Sequence, residues 1–422
     1  MSAWRCASQS SERAVSNGPV DRGVRSVAIA GKLNCAALEG LFDHPARSTV
    51  ARVGARESPK ISYLVRPLLD LGLELHLITL SEDTTESFDV TGRNVTLTVC
   101  PSRTSGRGRD AFARERRVVT EAVLSRPVDL VHAHQTYEYA LGALASGLPT
   151  LITVRDWAMA VGLEPRAMYS LNRTGYLATK VGMQLVTLVW GKHFTVNSPY
   201  LERRIRRVVR GRTPVIPNCL PPGMAMSTPR KLNGEKPCLV AVNRGFGRRK
   251  NVTSLLRAFS LVRERFSDAR LVLVGPGYEA GGAAETWAAK HGLDARVEFR
   301  GPLPPEKVGA SLGSADLMIH PSREESFGIV LMEAMSHGTP VIGGAHSGAV
   351  PWVLGNGRAG VLTDVTNPKV MAKVICELLG DPVRWKELSN RGRREVTERF
   401  DSDAVAYRYV QEYNHVVAAS AR

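Results

Sequence analysis

Short, continuously apolar runs alternate with amphipathic stretches along most of the chain, and many glycines sit just after the apolar runs. Residues 26–30, 75–79, 95–100, 129–133, 150–154 and 194–197 read as strands. Between them, 61–71, 110–124 and 139–146 carry helical spacing, with Gly72 and Gly147 as C-terminal stops. Strands that are apolar throughout, rather than alternating, are those buried on both faces. The pattern therefore predicts a parallel, doubly wound sheet covered by helices. Residues 211–237 break it: they are rich in proline and turn residues, as an interdomain linker is. The pattern then restarts. Strands are expected at 238–242, 270–274, 297–299, 317–320, 340–343 and 361–362. Helices are expected at 252–265, 281–291, 305–312, 329–336 and 368–379, with a helix start at 349–353.

These elements divide the chain into a polar tail (1–24), a first α/β domain (25–213), a hinge (214–237), a second α/β domain (238–395) and a C-terminal segment (396–422). In the last, 403–417 has an amphipathic helical pattern and is expected to pack back across the hinge. Two such halves form a cleft, and ligands of open α/β sheets bind beyond the carboxyl ends of the strands.

The length of 422 residues agrees with two domains, and 43% hydrophobic residues suits a globular chain. The tail lacks the apolar stretch of a signal peptide, and no run is apolar enough to span a membrane. The six cysteines form no C-x-x-C pair and have no histidine cluster beside them, which argues against a zinc site or a disulfide framework and for reduced thiols in the cytoplasm. A net charge of +16 leaves two readings open. It can attract nucleic acid, anionic lipid or phosphorylated substrates, or it can simply reflect an arginine-rich proteome.

The most informative stretch is 320–344, HPSREESFGIVLMEAMSHGTPVIGG. A strand ends at His320, a polar loop follows, and a helix starts near Ile329. Ser326 is read as its N-cap, and Gly328 lets the backbone approach a ligand closely. The helix start aims free N–H groups and partial positive charge at what precedes it, which suits a diphosphate. Glu333, inside the helix, can accept hydrogen bonds from a vicinal diol such as a ribose, and Glu325, in the loop, can contact a sugar ring. The bland alternative is one glutamate complementing the helix dipole and another in solvent. In 242–250, VNRGFGRRK, a glycine-containing turn can bring Arg244 and Lys250 onto one diphosphate and stabilise it as it leaves; a solvated basic loop is the alternative. In 131–134, VHAH, a strand end delivers His134 to the cleft, as a sugar-binding group or as an ordinary structural histidine. The run 271–277, LVLVGPG, gives backbone room beside a base or phosphate.

Together these elements resemble the family 4 glycosyltransferases, from about Asp129 to about Tyr413 and most strongly over 240–362. The most specific part is the pair Glu325 and Glu333 within ESFGIVLMEAMSHGTPV. Ile216-Pro217-Asn218, Arg244 with Lys250, Gly275-x-Gly277 and 297–301 are also family-like. The resemblance implies the GT-B fold: two Rossmann-like doubly wound domains facing across a cleft. It implies transfer of a hexose-type sugar from a nucleoside diphosphate sugar to an acceptor hydroxyl, with retention, without metal or further cofactor, in polysaccharide or glycolipid assembly. By resemblance Arg244 and Lys250 hold the donor diphosphate. The backbone of Phe327, Gly328, Ile329 and Val330, entered from Ser326, lines the phosphates. Glu333 holds the ribose, Glu325 the transferred sugar, and 297–301 with Arg300 lies near the base. His134 matches the family's active-site histidine, so Glu325, His134, Lys250 and Arg244 make up the implied catalytic set.

The chain departs from the family in several places. No Gly-Gly turn follows the first strand. Cys219 stands where glycine is common, Trp352 where glutamate is common, and Arg155 where histidine is common. A donor-binding scaffold that has lost catalysis is therefore the alternative function. The implied acceptor is a sugar or a lipid-linked one. The segment 201–212, LERRIRRVVRGR, reads as a basic amphipathic helix for peripheral contact with anionic lipid at the inner face of a membrane, or as a surface helix with its apolar side in the core. No recognisable module supports nucleic-acid binding.

Overall fold

The computed structural model describes residues 23–43, 46–54, 60–162, 171–220 and 232–421. Residues 1–22 of the expected tail and 221–231 of the expected hinge lie outside these.

The first sheet contains β1 (Ser26–Ala30), β2 (Glu74–Ser81), β3 (Phe88–Gly92), β4 (Val95–Pro101), β5 (Leu130–His134), β6 (Thr150–Val154) and β7 (His193–Val196). Their order is β3-β4-β2-β1-β5-β6-β7, parallel throughout except for the antiparallel edge strand β3. Strands β4, β5 and β6 are buried along their whole length, as in a sheet covered on both faces, and they bury polar residues such as Thr98, His132, His134 and Thr153 with their apolar ones. The second sheet contains β8 (Cys238–Val242), β9 (Arg270–Val274), β10 (Val297–Phe299), β11 (Leu317–His320), β12 (Val341–Gly344) and β13 (Val361–Thr363). It is wholly parallel, in the order β10-β9-β8-β11-β12-β13. Both orders reverse direction within the sheet, and such a switch point is where open α/β sheets bind ligands.

Two segments join the halves. Residues 213–220 leave β7, pair with it through the bridge Val196–Val215, and bury Ile216 and Cys219 against the first core. The chain returns at Leu220–Asp401, a parallel bridge in which Leu220 N donates to Phe400 O at 3.1 Å. The C-terminal helix Ser402–Ser420 then buries Val405, Tyr409, Tyr413 and Val416 in the first core, far in sequence from the strands they cover. Asp401 caps it, accepting from the backbone N–H groups of Asp403 and Ala404.

The sequence-based outline needs three changes here. The expected boundary at 395/396 falls inside the helix Pro382–Arg399, because Val396 packs in the second core; the break comes at Phe400–Asp401. That helix and Leu171–Trp190 carry no expected assignment, the first because its charged residues hide a narrow buried face of Trp385, Leu388, Gly392 and Val396. The segment 201–212 is helical only over Pro199–Ile205, and Leu201, Ile205 and Val209 are buried in the first domain. It presents arginines to its surroundings and no apolar face. No helix among the described residues is long and apolar enough to cross a membrane.

Candidate active site

The carboxyl end of β11 and the start of the helix Ile329–Ser336 hold a largely buried charge constellation. Lys250 forms an ion pair with Glu325, and His320 Nε2 lies 3.5 Å from Glu325 Oε1. Burial alone would favour the neutral acid, but Lys250 and His320 more than offset it and hold the Glu325 carboxyl well below the usual range. The backbone of Glu325 is fixed as well: Ala349 N donates to Glu325 O at 2.9 Å. This approach needs Gly348, since a Cβ there would lie 2.2 Å from Glu325 O and its φ is +65°.

Eight residues on, Glu333 behaves in the opposite way. It sits partly buried on the helix, and burial pushes its carboxyl up to about 7. The phenol of Tyr63, from the first domain, is raised first by burial and then by the charge of Glu333.

Ser326 is not the N-cap of this helix. Gly328 takes that position with a φ of +89° and offers no side chain, while the carbonyl of Ser326 accepts from Ser198 Oγ at 2.6 Å. Phe327 turns inward, edge-on to Trp352 at 6.0 Å and to Phe400 at 5.7 Å, which leaves only its backbone to line a ligand. Trp352 thus serves packing in this chain, with Arg399 over its ring at 4.5 Å.

Arg244 stands exposed on the turn after β8, while Lys250 lies partly buried against Glu325. The turn is held from below. Gly245 N donates to Pro276 O at 2.7 Å, and Tyr278 Oη donates to Gly245 O at 3.0 Å. Arg300, two strands away at the end of β10, pairs with Glu298 at 2.6 Å and does not join the Glu325 cluster.

On the opposite side, His134 ends β5 with no exposed surface. Its ring lies 3.9 Å from that of His132, and its Nδ1 accepts from Arg155 Nη2 at 2.7 Å and Nε at 3.1 Å. Arg155 Nη1 also donates to Asn218 Oδ1 in the hinge. His132 is held between Tyr413 Oη at 2.8 Å and Thr153 Oγ1 at 2.7 Å. Burial, with Arg155 nearby, keeps both imidazoles well below their ordinary pKa and therefore neutral. The two halves touch at the cleft through the Ser198–Ser326 bond and through Tyr200 Oη, which donates to the Glu324 carboxylate. Among the described residues, no group of three or more His, Cys, Asp or Glu side chains is placed to hold a metal ion.

Residues 61–222 match the family described as Glycosyltransferase Family 4, and residues 226–395 match Glycosyl transferases group 1. The chain belongs to this glycosyltransferase family. Among its relatives, N-acetyl-alpha-D-glucosaminyl L-malate synthase of Bacillus anthracis is 33% identical over 172 residues, which make up 41% of this chain and 44% of that protein. D-inositol 3-phosphate glycosyltransferase of Corynebacterium efficiens is 36% identical over 124 residues, 29% of each chain. The matched stretches thus span less than half of these relatives. Among solved structures, a sucrose-phosphate synthase from Thermosynechococcus elongatus superposes with a TM-score of 0.71 at 20% identity, covering 94% of this chain and 100% of that one. An Anabaena protein in complex with UDP and glucose gives a TM-score of 0.62 at 16% identity, covering 92% and 98%. These likenesses establish the GT-B arrangement of two Rossmann-like domains facing across a cleft.

Several participants of this candidate site escape a sequence reading. His320 is visible only as a strand terminus, and Gly348 only as a turn glycine. Gly31, directly after β1, is a single glycine where a Gly-Gly turn is common; a Cβ there would lie 3.1 Å from His134 Cβ and 2.9 Å from Ile61 Cδ1. Arg155 is visible as a departure from the family, without any sign that it grips His134.

Proposed function

We propose that this chain transfers a hexose-type sugar from a nucleoside diphosphate sugar to an acceptor hydroxyl. The observation that carries the reading is the joining of Glu325, Lys250 and His320 directly ahead of a helix start, with Glu333 on that helix. A diphosphate fits the free N–H groups of the helix start together with Lys250 and Arg244, and these charges stabilise it most as it departs. Glu333 takes the ribose and Glu325 the transferred sugar, with His134 opposite. Retention, independence of metal, and a role in polysaccharide or glycolipid assembly rest on the family resemblance. The acceptor is a sugar or lipid-linked hydroxyl. We place the activity in the cytoplasm, with any contact to anionic lipid made by the arginines of 201–212 alone, since the apolar side of that segment faces the core.

The test is a thermal-shift screen against UDP, GDP, ADP and their sugar conjugates, repeated with Arg244→Ala. A ligand that binds only the folded state stabilises it by roughly 2.7 kcal/mol at a hundredfold excess over Kd. A rise in Tm for one base, lost in the variant, is expected. No shift with any nucleotide would overturn the donor site, and binding without hydrolysis or transfer would leave a non-catalytic donor-binding scaffold.

A further inference from the structure

Arg155 is a guanidinium buried at the carboxyl end of β6 whose partners, among the described residues, are neutral. Nε and Nη2 converge on His134 Nδ1 at 3.1 and 2.7 Å, and Nη1 donates to Asn218 Oδ1. A guanidinium has five N–H groups and no acceptor, so His134 Nδ1 must be the acceptor in these contacts. A nitrogen that accepts carries no proton. In a neutral imidazole the single N–H is then on Nε2. That nitrogen is buried and has no hydrogen-bond partner among the described residues. The ring cannot turn freely to find one, because it lies 3.9 Å from His132, which is itself fixed at both nitrogens. A buried donor left unpaired is costly and calls for an acceptor, an ordered water or a ligand atom, to complete it.

We infer that Arg155 is a positioning residue that fixes His134 as the Nε2–H tautomer, making it a hydrogen-bond donor to a sugar oxygen in the cleft and not a base. The part of this that concerns the sugar rests on the transfer reaction proposed above; the tautomer does not. The same arrangement ties the histidine to the hinge, since Asn218 holds the other end of the guanidinium. Removal of a proton from the acceptor hydroxyl therefore has to be done by another group than Nε2 of His134, which already bears its proton. Burial above all, followed by His132 and the positive charge of Arg155, works in the same direction, disfavouring the doubly protonated ring.

Nitrogen-15 NMR of the histidine side chains of the full chain tests this directly. In the native protein His134 should show a protonated Nε2 and a bare Nδ1, unchanged across the neutral pH range. In Arg155→Met, which keeps length and removes the donors, the preference should be lost; Arg155→Lys, whose ammonium only donates, should restore it. In a transfer assay Arg155→Met should lower kcat by roughly tenfold with donor KM little changed, as expected for a contact that matters most in the transition state. A protonated Nδ1 in the native protein overturns the inference even if no variant folds. So does an unaltered tautomer in a folded Arg155→Met. Absence of any transferase activity alongside the Nε2–H tautomer would overturn only the sugar contact and the function it rests on.

Discussion

Glu325 and Glu333 are chemically alike, lie on the same loop–helix unit, and are driven in opposite directions by their neighbours. Lys250 and His320 hold the first ionised, while burial without a cation pushes the second up to about 7. Separation of two carboxylates in this way assigns them different tasks. It also yields a pH prediction whose sign follows from linkage. Ribose hydroxyls donate to a carboxylate, so nucleotide binding favours ionised Glu333 and releases a proton. Affinity for a nucleoside diphosphate should then rise from about pH 6 to about pH 8 and level off above. The nucleotide's own phosphate also titrates in this window, so the measurement is calorimetric binding to the native chain and to Glu333→Gln. The native chain should show the steeper rise; equal slopes would remove the ribose from Glu333. The Glu325/Glu333 spacing is legible in the sequence because both sit on one local unit. The partner His320 is not, since nothing in the chain's order shows that a strand terminus turns its ring toward that loop.

At the scale of elements, the turn after β8 and the Gly-Pro-Gly turn after β9 form one support for Arg244. Gly275 has a φ of +125°, and a Cβ there would sit 1.8 Å from Asn243 O. Gly275→Ala should therefore cost roughly 1–3 kcal/mol in backbone strain, plus the displacement of the Arg244 turn, seen as a lowered Tm and weaker nucleotide binding. Gly281 is the control: its φ is +72°, but nothing lies within 4 Å of the added carbon. Gly281→Ala should lower Tm less and leave binding alone. Matching losses in both variants would mean that strain, and not the close approach of the two turns, is what Gly275 relieves. Strand and helix cores are well read from the sequence where burial makes them apolar, as at β6 or Val252–Arg265. The edge strand β3, with alternating burial and a turn through Asn94 at φ +58°, and the arginine-rich helix Pro382–Arg399 are not, because only a narrow face of each is buried.

The whole molecule is held together by a chain that crosses between domains twice. The C-terminal helix places Tyr413 against His132 and Tyr409 against Thr153, so the last segment of the chain supports the histidine pair of the first domain. At the mouth of the cleft, Ser198 and Tyr200 bond the very loop that carries Glu325. Loss of the Tyr200 hydroxyl, worth roughly 0.5–3 kcal/mol with a charged acceptor, should shift the pair of domains toward a more open arrangement. Small-angle scattering of Tyr200→Phe without ligand should give a larger radius of gyration than the native chain, and saturating nucleotide should reduce the difference. Identical radii in the absence of ligand would show that this bond does not hold the cleft closed.

The sequence by itself determined the two α/β halves, the strand cores, and the loop–helix unit bearing Glu325 and Glu333. These depend on local periodicity and on residues adjacent along the chain. Only the tertiary structure decided that Lys250 and His320 meet at one carboxylate, that Phe327 turns into the core, that Arg155 clamps His134, and that Tyr409 and Tyr413 return to the first domain. Apart from His320, which is near Glu325 in the chain but needs the fold to aim its ring there, those outcomes depend on contacts between residues tens to hundreds of positions apart, and on which polar groups burial leaves without water. Neither is encoded in the spacing of any single segment.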